Sequence, residues 1–152
     1  MNKRLVITFL VALSSVCGLY AQSYEEDFNA VQQAFQERLK TTPNALKNHL
    51  TIFPYTPYSD EIYLMEGVLY TEKGKYKQAT KVFNKITAKN LSRETQPMLY
   101  FYGGYALIQQ KQYEKALSLF LRLKNQKSTY APHARYYAGY CYYCMQDFPQ
   151  AM

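Results

Sequence analysis

The chain has no tryptophan, two histidines, three cysteines and six glycines among 152 residues, and each scarcity removes a class of chemistry. His49 and His133 show no HExxH spacing and no neighbouring Cys, Asp or Glu ligand set, so no metal site is expected. The glycines build neither a phosphate-cradling loop nor a nucleophile elbow, and no carboxylate pair sits in an apolar setting. No catalytic residue and no cofactor follow, and a non-enzymatic role is expected. Strand-type alternation and low-complexity tracts are also missing, which leaves an all-α chain. Cys141-Tyr142-Tyr143-Cys144 spells C-x-x-C. It falls late in a helix, however, whereas redox motifs sit at strand-to-helix junctions. Reduced, half-buried thiols are expected there, with a local disulfide as the alternative.

Long apolar runs are confined to the start. Lys3 and Arg4 precede an apolar stretch from Leu5 to Leu13, followed by small or neutral residues to Ala21. That is the pattern of a secretory signal peptide over residues 1–21, with cleavage after Ala21 exposing Gln22. The alternatives are an uncleaved anchor and a lipoprotein cut before Cys17, although Val16 is large for a lipobox. After Gln22 nothing approaches the ~18 apolar residues that span a bilayer. Removing Lys3 and Arg4 leaves 16 basic against 11 acidic residues. In an exported protein that balance points to anionic lipid, polysaccharide or acidic protein faces, not nucleic acid.

What the chain does have is aromatic residues at a fixed period, among its 17 tyrosines and 8 phenylalanines. Gly67, Tyr70, Tyr76, Ala79 and Phe83 form one ladder. Gly104, Leu107, Tyr113, Ala116 and Phe120 repeat it 37 residues on, and Gly139, Tyr142, Phe148 and Ala151 follow after another 35. A period in the thirties marks stacked helical units, each unable to bury its apolar face alone. The glycines and alanines are expected where paired helices approach closely, and the aromatics between one pair and the next.

Helical spacing of Phe28, Val31, Phe35 and Leu39 predicts a helix over 24–40, with Pro43 as its break. A short segment from Ala45 to Phe53 ends at Pro54-Tyr55-Thr56-Pro57. Ser59 or Asp60 is a candidate cap for a helix to Thr71. Gly74 separates it from a partner spanning Tyr76 to about Lys89. The next pair runs from Pro97 to about Gln110 and from Gln112 to about Lys124, and Pro132 opens a final helix through Met145.

The ladders resemble the tetratricopeptide repeat, best in Gly67-x-x-Tyr70-x-x-x-Gly74-x-Tyr76-x-x-Ala79-x-x-x-Phe83. The site before the motif glycine departs from the family leucine, with Glu66, Gly103 and Ala138. Lys111 and Gln146 replace the turn glycine. The Phe53–Glu61 junction is similar to those of exported bacterial envelope proteins, and the Tyr/Lys-rich texture to the N-terminal part of long Bacteroidetes-type members. The resemblance implies a right-handed superhelical solenoid of antiparallel helix pairs. It divides the chain into a signal peptide (1–21), a degenerate N-terminal pair (22–56) and repeats at 57–93, 94–129 and 130–152. The last is cut inside its second helix, so a longer native chain is expected.

Carrying over the family's groove positions gives Leu64, Val68 and Thr71, then Phe101, Tyr105 and Ile108, then Tyr136, Tyr140 and Tyr143. The family's carboxylate clamp is missing, because Leu64, Val68 and Tyr102 stand where it needs Lys and Asn. Lys77, Lys81, Lys85 and Lys89 form an i, i+4 basic stripe on the second helix of the first repeat, fit for an anionic membrane or an acidic partner. The resemblance implies an exported scaffold that docks proteins of the bacterial envelope, periplasmic or at the outer membrane. The rival readings are a positioning segment of a longer enzyme and a substrate-capturing lipoprotein.

Overall fold

The computed structural model describes residues 22–146, and every described element is helical. The chain divides into two compact units, one ending at Pro57 and one beginning at Tyr58.

In the first unit, α1 spans 22–36 and α2 spans Thr42–Ile52. Phe28, Val31, Ala34 and Phe35 form the buried stripe of α1, and Leu46 and His49 that of α2. The helix stops earlier than its apolar spacing predicts. Arg38 takes a left-handed backbone, φ 55°. Leu39 N–H then reaches Ala34 C=O at 3.0 Å, and Arg38 N–H reaches Phe35 C=O at 3.1 Å. This pair of bonds is a Schellman closure, which satisfies the last carbonyls of the helix. Leu39 is thereby carried out of the stripe and left 46% exposed. Pro43 does not lie in the break; it opens α2, where a missing N–H costs nothing. The Thr42 hydroxyl bonds back to Ala34 C=O at 2.8 Å.

The second unit comprises α3 (Ser59–Glu72), α4 (Tyr76–Phe83), α5 (Gln96–Ile108), α6 (Tyr113–Leu123) and α7 (Ala131–Cys144), with a 3-10 turn at Ala88–Asn90. Each helix packs on its chain neighbour, and α5 also lies against both α3 and α7. α3, α5 and α7 therefore share one side of this unit, with α4 and α6 behind them. Within a pair the helices run in opposite directions. A β-carbon on Gly67, in mid-α3, would overlap the Phe83 ring at the end of α4. Asp60, at the start of α3, accepts from Thr87 N–H and Asn90 Nδ2 beyond α4. Asp60 is thus engaged by the return segment, and neither it nor Ser59 caps α3.

Turns recur as well as contacts. Gly74, Lys111 and Gln146 all have positive φ, at 70°, 59° and 63°. Lys75 N–H to Tyr70 C=O (2.8 Å) and Gln112 N–H to Leu107 C=O (3.0 Å) close the two helices identically. Lys111 and Gln146 thus adopt the glycine's conformation without being glycine.

The helix from Tyr76 ends at Phe83 instead of continuing to Lys89. Lys85 N–H and Ile86 N–H bond to Val82 and Phe83 carbonyls in i→i+3 fashion, tightening the chain out of the α-helix. Pro97 and Pro132 sit in the first turns of α5 and α7, as their missing donors predict.

Candidate functional site

Two glycines set the spacing within the pairs. A β-carbon on Gly104 would stand 2.7 Å from Cζ of Phe120, and Gly67 is closed in the same way by Phe83. Ala79 and Ala116 are fully buried beside them. The two phenylalanines therefore work within a pair, plugging the partner helix's glycine. Phe83 also extends toward Gly103 of the next pair, 3.9 Å from where its β-carbon would be. Gly139 is half-buried, and Phe148 and Ala151 lie outside the described residues.

With α3, α5 and α7 side by side, the rings of α5 and α7 merge with Tyr76, at the start of α4, into one wall. Phe101 stacks on Tyr130 at 4.9 Å between ring centres, with His133 at 6.0 Å. Tyr105 meets Tyr76 edge-on at 6.2 Å and Tyr137 edge-on at 5.7 Å. Tyr137 in turn stacks on Phe120 at 5.6 Å, anchoring the wall to the core. Between these rings lies a cavity of about 340 Å³ lined by Thr71, Glu72, Tyr76, Phe101, Tyr102, Tyr105 and Tyr137.

The groove residues named from sequence separate into three groups. Phe101, Tyr105 and Thr71 line the cavity. Tyr136, Tyr140 and Tyr143 are exposed along α7, at 69, 40 and 63%, but outside the cavity. Leu64, Val68 and Ile108 are buried and belong to the core, so their assignment to an open groove is corrected. All three are aliphatic and gain from burial what an exposed groove position would forfeit. Sequence reasoning passed over Tyr137 and Tyr76 as wall residues. Tyr137 adjoins Tyr136 in sequence, and only the rotation of α7 decides which of the two faces α5.

Hydroxyl chemistry concentrates at the end of α7. The Tyr140 hydroxyl is pushed up by its hydrogen bond to Cys144, then by the nearby charges of Cys144 and Tyr113. The Tyr113 hydroxyl is raised by desolvation, then by Cys144. Burial, with Cys144 adding to it, drives the Cys141 thiol up to about 11. Both thiols are free. A raised thiol pKa is the opposite of what a redox cysteine needs.

The lysine stripe is not continuous. Lys77 and Lys81 stand on α4, but Lys85 follows the end of that helix and Lys89 lies in the 3-10 turn. Lys85 Nζ sits 4.7 Å above the Tyr63 ring. Charge is nevertheless sorted by helix. α3, α5 and α7 carry four carboxylates (Asp60, Glu61, Glu66, Glu72) and one guanidinium, Arg135. α4 and α6 carry Lys77, Lys81, Lys115 and Arg122 against Glu114.

His49 is not alone in the fold. Fully buried in the first unit, its Nδ1–H donates to Asp27 at 2.7 Å, and Nε2 lies 3.2 Å from the Thr56 hydroxyl. Phe28 and Phe53 pack around the ring. These partners lie 22 positions before it and 7 after, a separation that no local motif encodes. Among the described residues no three His, Cys, Asp or Glu side chains are grouped to hold a metal, and no helix is long and apolar enough to cross a membrane.

Comparison with known proteins finds no matching family model and no matching curated relative.

Proposed function

We propose that this chain is an exported scaffold of tetratricopeptide type, whose helix pairs stack as a solenoid and hold a segment of a partner protein against the aromatic wall of α4, α5 and α7. The observation that carries this reading is the wall itself. Five rings from three helices line one cavity, and three more tyrosines are exposed on α7. Tyrosine joins a large rigid apolar ring to a polar tip and is enriched where partners are gripped. Repetition supports the repeat class: glycine meets phenylalanine in both complete pairs, and the left-handed turn recurs after 37 and 35 residues. The pattern of residues 1–21 supports export to a bacterial envelope. The cations of α4 and α6 support a second contact, with an anionic membrane surface or an acidic partner.

The test is a random-peptide library panned on the chain. Selected peptides should bind the native protein and lose binding to a Tyr105→Ala, Tyr140→Ala double variant whose circular dichroism is native. Equal binding to the variant contradicts the proposal.

A further inference from the structure

We infer that the cavity between α3, α5 and α7 is a receptor for a cation: it takes a lysine or arginine side chain from the partner segment. This rests on the reading of the wall as a docking surface and specifies what that surface selects. Three observations lead to it.

The first is ring geometry. Tyr105 stands at 73° to Tyr76 and 70° to Tyr137, and Phe101 lies at 56° to Tyr137. Rings set across one another in the lining of one hollow make its wall aromatic on several sides. The negative quadrupole of each face attracts a cation within ~6 Å, more strongly when water is displaced.

The second is charge. Glu72 is the one acidic residue lining the cavity, and no basic residue joins it there. It occupies the last position of α3, the end at which the helix dipole is negative. Lys73 and Lys75 follow in the turn, exposed and outside the lining. α5, which supplies three of the rings, has no charged residue. The lining itself contains no lysine or arginine to receive an anionic segment. A carboxylate accepts several hydrogen bonds, so Glu72 can keep its present contact and still face an ammonium group.

The third is size. About 340 Å³ is at the lower end for a ligand pocket and suits one long side chain, not a folded domain. The methylenes of lysine or arginine would lie along the rings, with the charged head toward Glu72.

The experiment uses the 152-residue chain and two probes, acetyl-Ala-Lys-Ala-amide and the same peptide with norleucine for lysine, titrated by NMR of the tyrosine ring signals. The norleucine probe keeps the four-carbon stem of lysine and lacks its ammonium group. The lysine probe should bind at least about tenfold more tightly than the norleucine probe. Tyr105→Phe keeps the ring and should stay within about twofold of wild type, whereas Tyr105→Leu should weaken binding about tenfold. Glu72→Gln, an exposed change that leaves packing intact, should weaken it about threefold. Equal binding of the two probes overturns the inference. So does a Tyr105→Phe loss as large as that of Tyr105→Leu, which would assign the site to hydroxyl hydrogen bonding. If library peptides depend on Tyr105 and Tyr140 while the probes are not distinguished, the cation receptor fails and the docking wall stands. If library peptides ignore both tyrosines, the docking wall fails as well.

Discussion

Lys111 holds the same left-handed backbone as Gly74, φ 59° against 70°, at the same place in the next helix pair. Lys75 and Gln112, the residues that follow them, donate equivalent 2.8 and 3.0 Å bonds back into the preceding helix. The turn is therefore a property of the stacked pairs, and the tertiary contacts impose it even on a residue with a β-carbon. Lysine bears a steric cost there that glycine avoids, roughly 1 kcal/mol.

Lys111→Gly should accordingly stabilise the protein by about 0.5–1 kcal/mol, and Gly74→Ala should destabilise it by about 1 kcal/mol. The β-carbon of Gly74→Ala would meet nothing within 4 Å, so its cost is purely conformational. Denaturant midpoints of the two variants check both signs.

Gly104→Ala should be far more costly, about 2–3 kcal/mol, because the new methyl would overlap the Phe120 ring. Phe120 has no exposed surface into which to retreat. Combining Gly104→Ala with Phe120→Leu should cost less than the sum of the two single changes. A double-mutant cycle reads that coupling directly.

His49→Ala should cost about 2–4 kcal/mol, since it removes a buried ring and strips Asp27 and Thr56 of their shared partner. The loss should appear as faster amide exchange in α1 and α2.

Cys141 should resist alkylation in the native protein at pH 8, where a thiol with a pKa of about 11 is almost wholly protonated. The folded value lies above the ordinary value of 9.0. Between those two values the unfolded chain has released the proton and the folded chain has not. Stability contributed by the neutral thiol is therefore complete below pH 9 and declines as pH rises toward 11. Iodoacetamide labelling followed by peptide mass analysis, with and without denaturant, tests the first point.

Much of the helical framework was legible because proline and glycine act locally. Pro97 and Pro132 open helices, Gly74 ends one, and the ladder of glycine, alanine and phenylalanine sets the pairs. The misplaced boundaries have tertiary causes. Arg38 and Lys111 carry no sequence mark of a left-handed turn, since most residues of their type never adopt one. The lysines after Phe83 are good helix formers, yet Asp60 draws Thr87 and Asn90 toward the start of α3 and the chain leaves the helix. The aromatic wall was visible as a richness in tyrosine. Which tyrosines face one another depends on helix rotation, so Tyr137 emerged from the structure and Ile108 moved to the core.

The most direct test of the docking wall is NMR of ring-labelled tyrosine in the chain, titrated with a library-selected peptide. Signals of Tyr76, Tyr105 and Tyr137 should shift together and saturate at one affinity, while those of Tyr24 and Tyr63 stay fixed. Binding that moves Tyr24 or Tyr63 and leaves the three wall tyrosines unchanged would contradict the account.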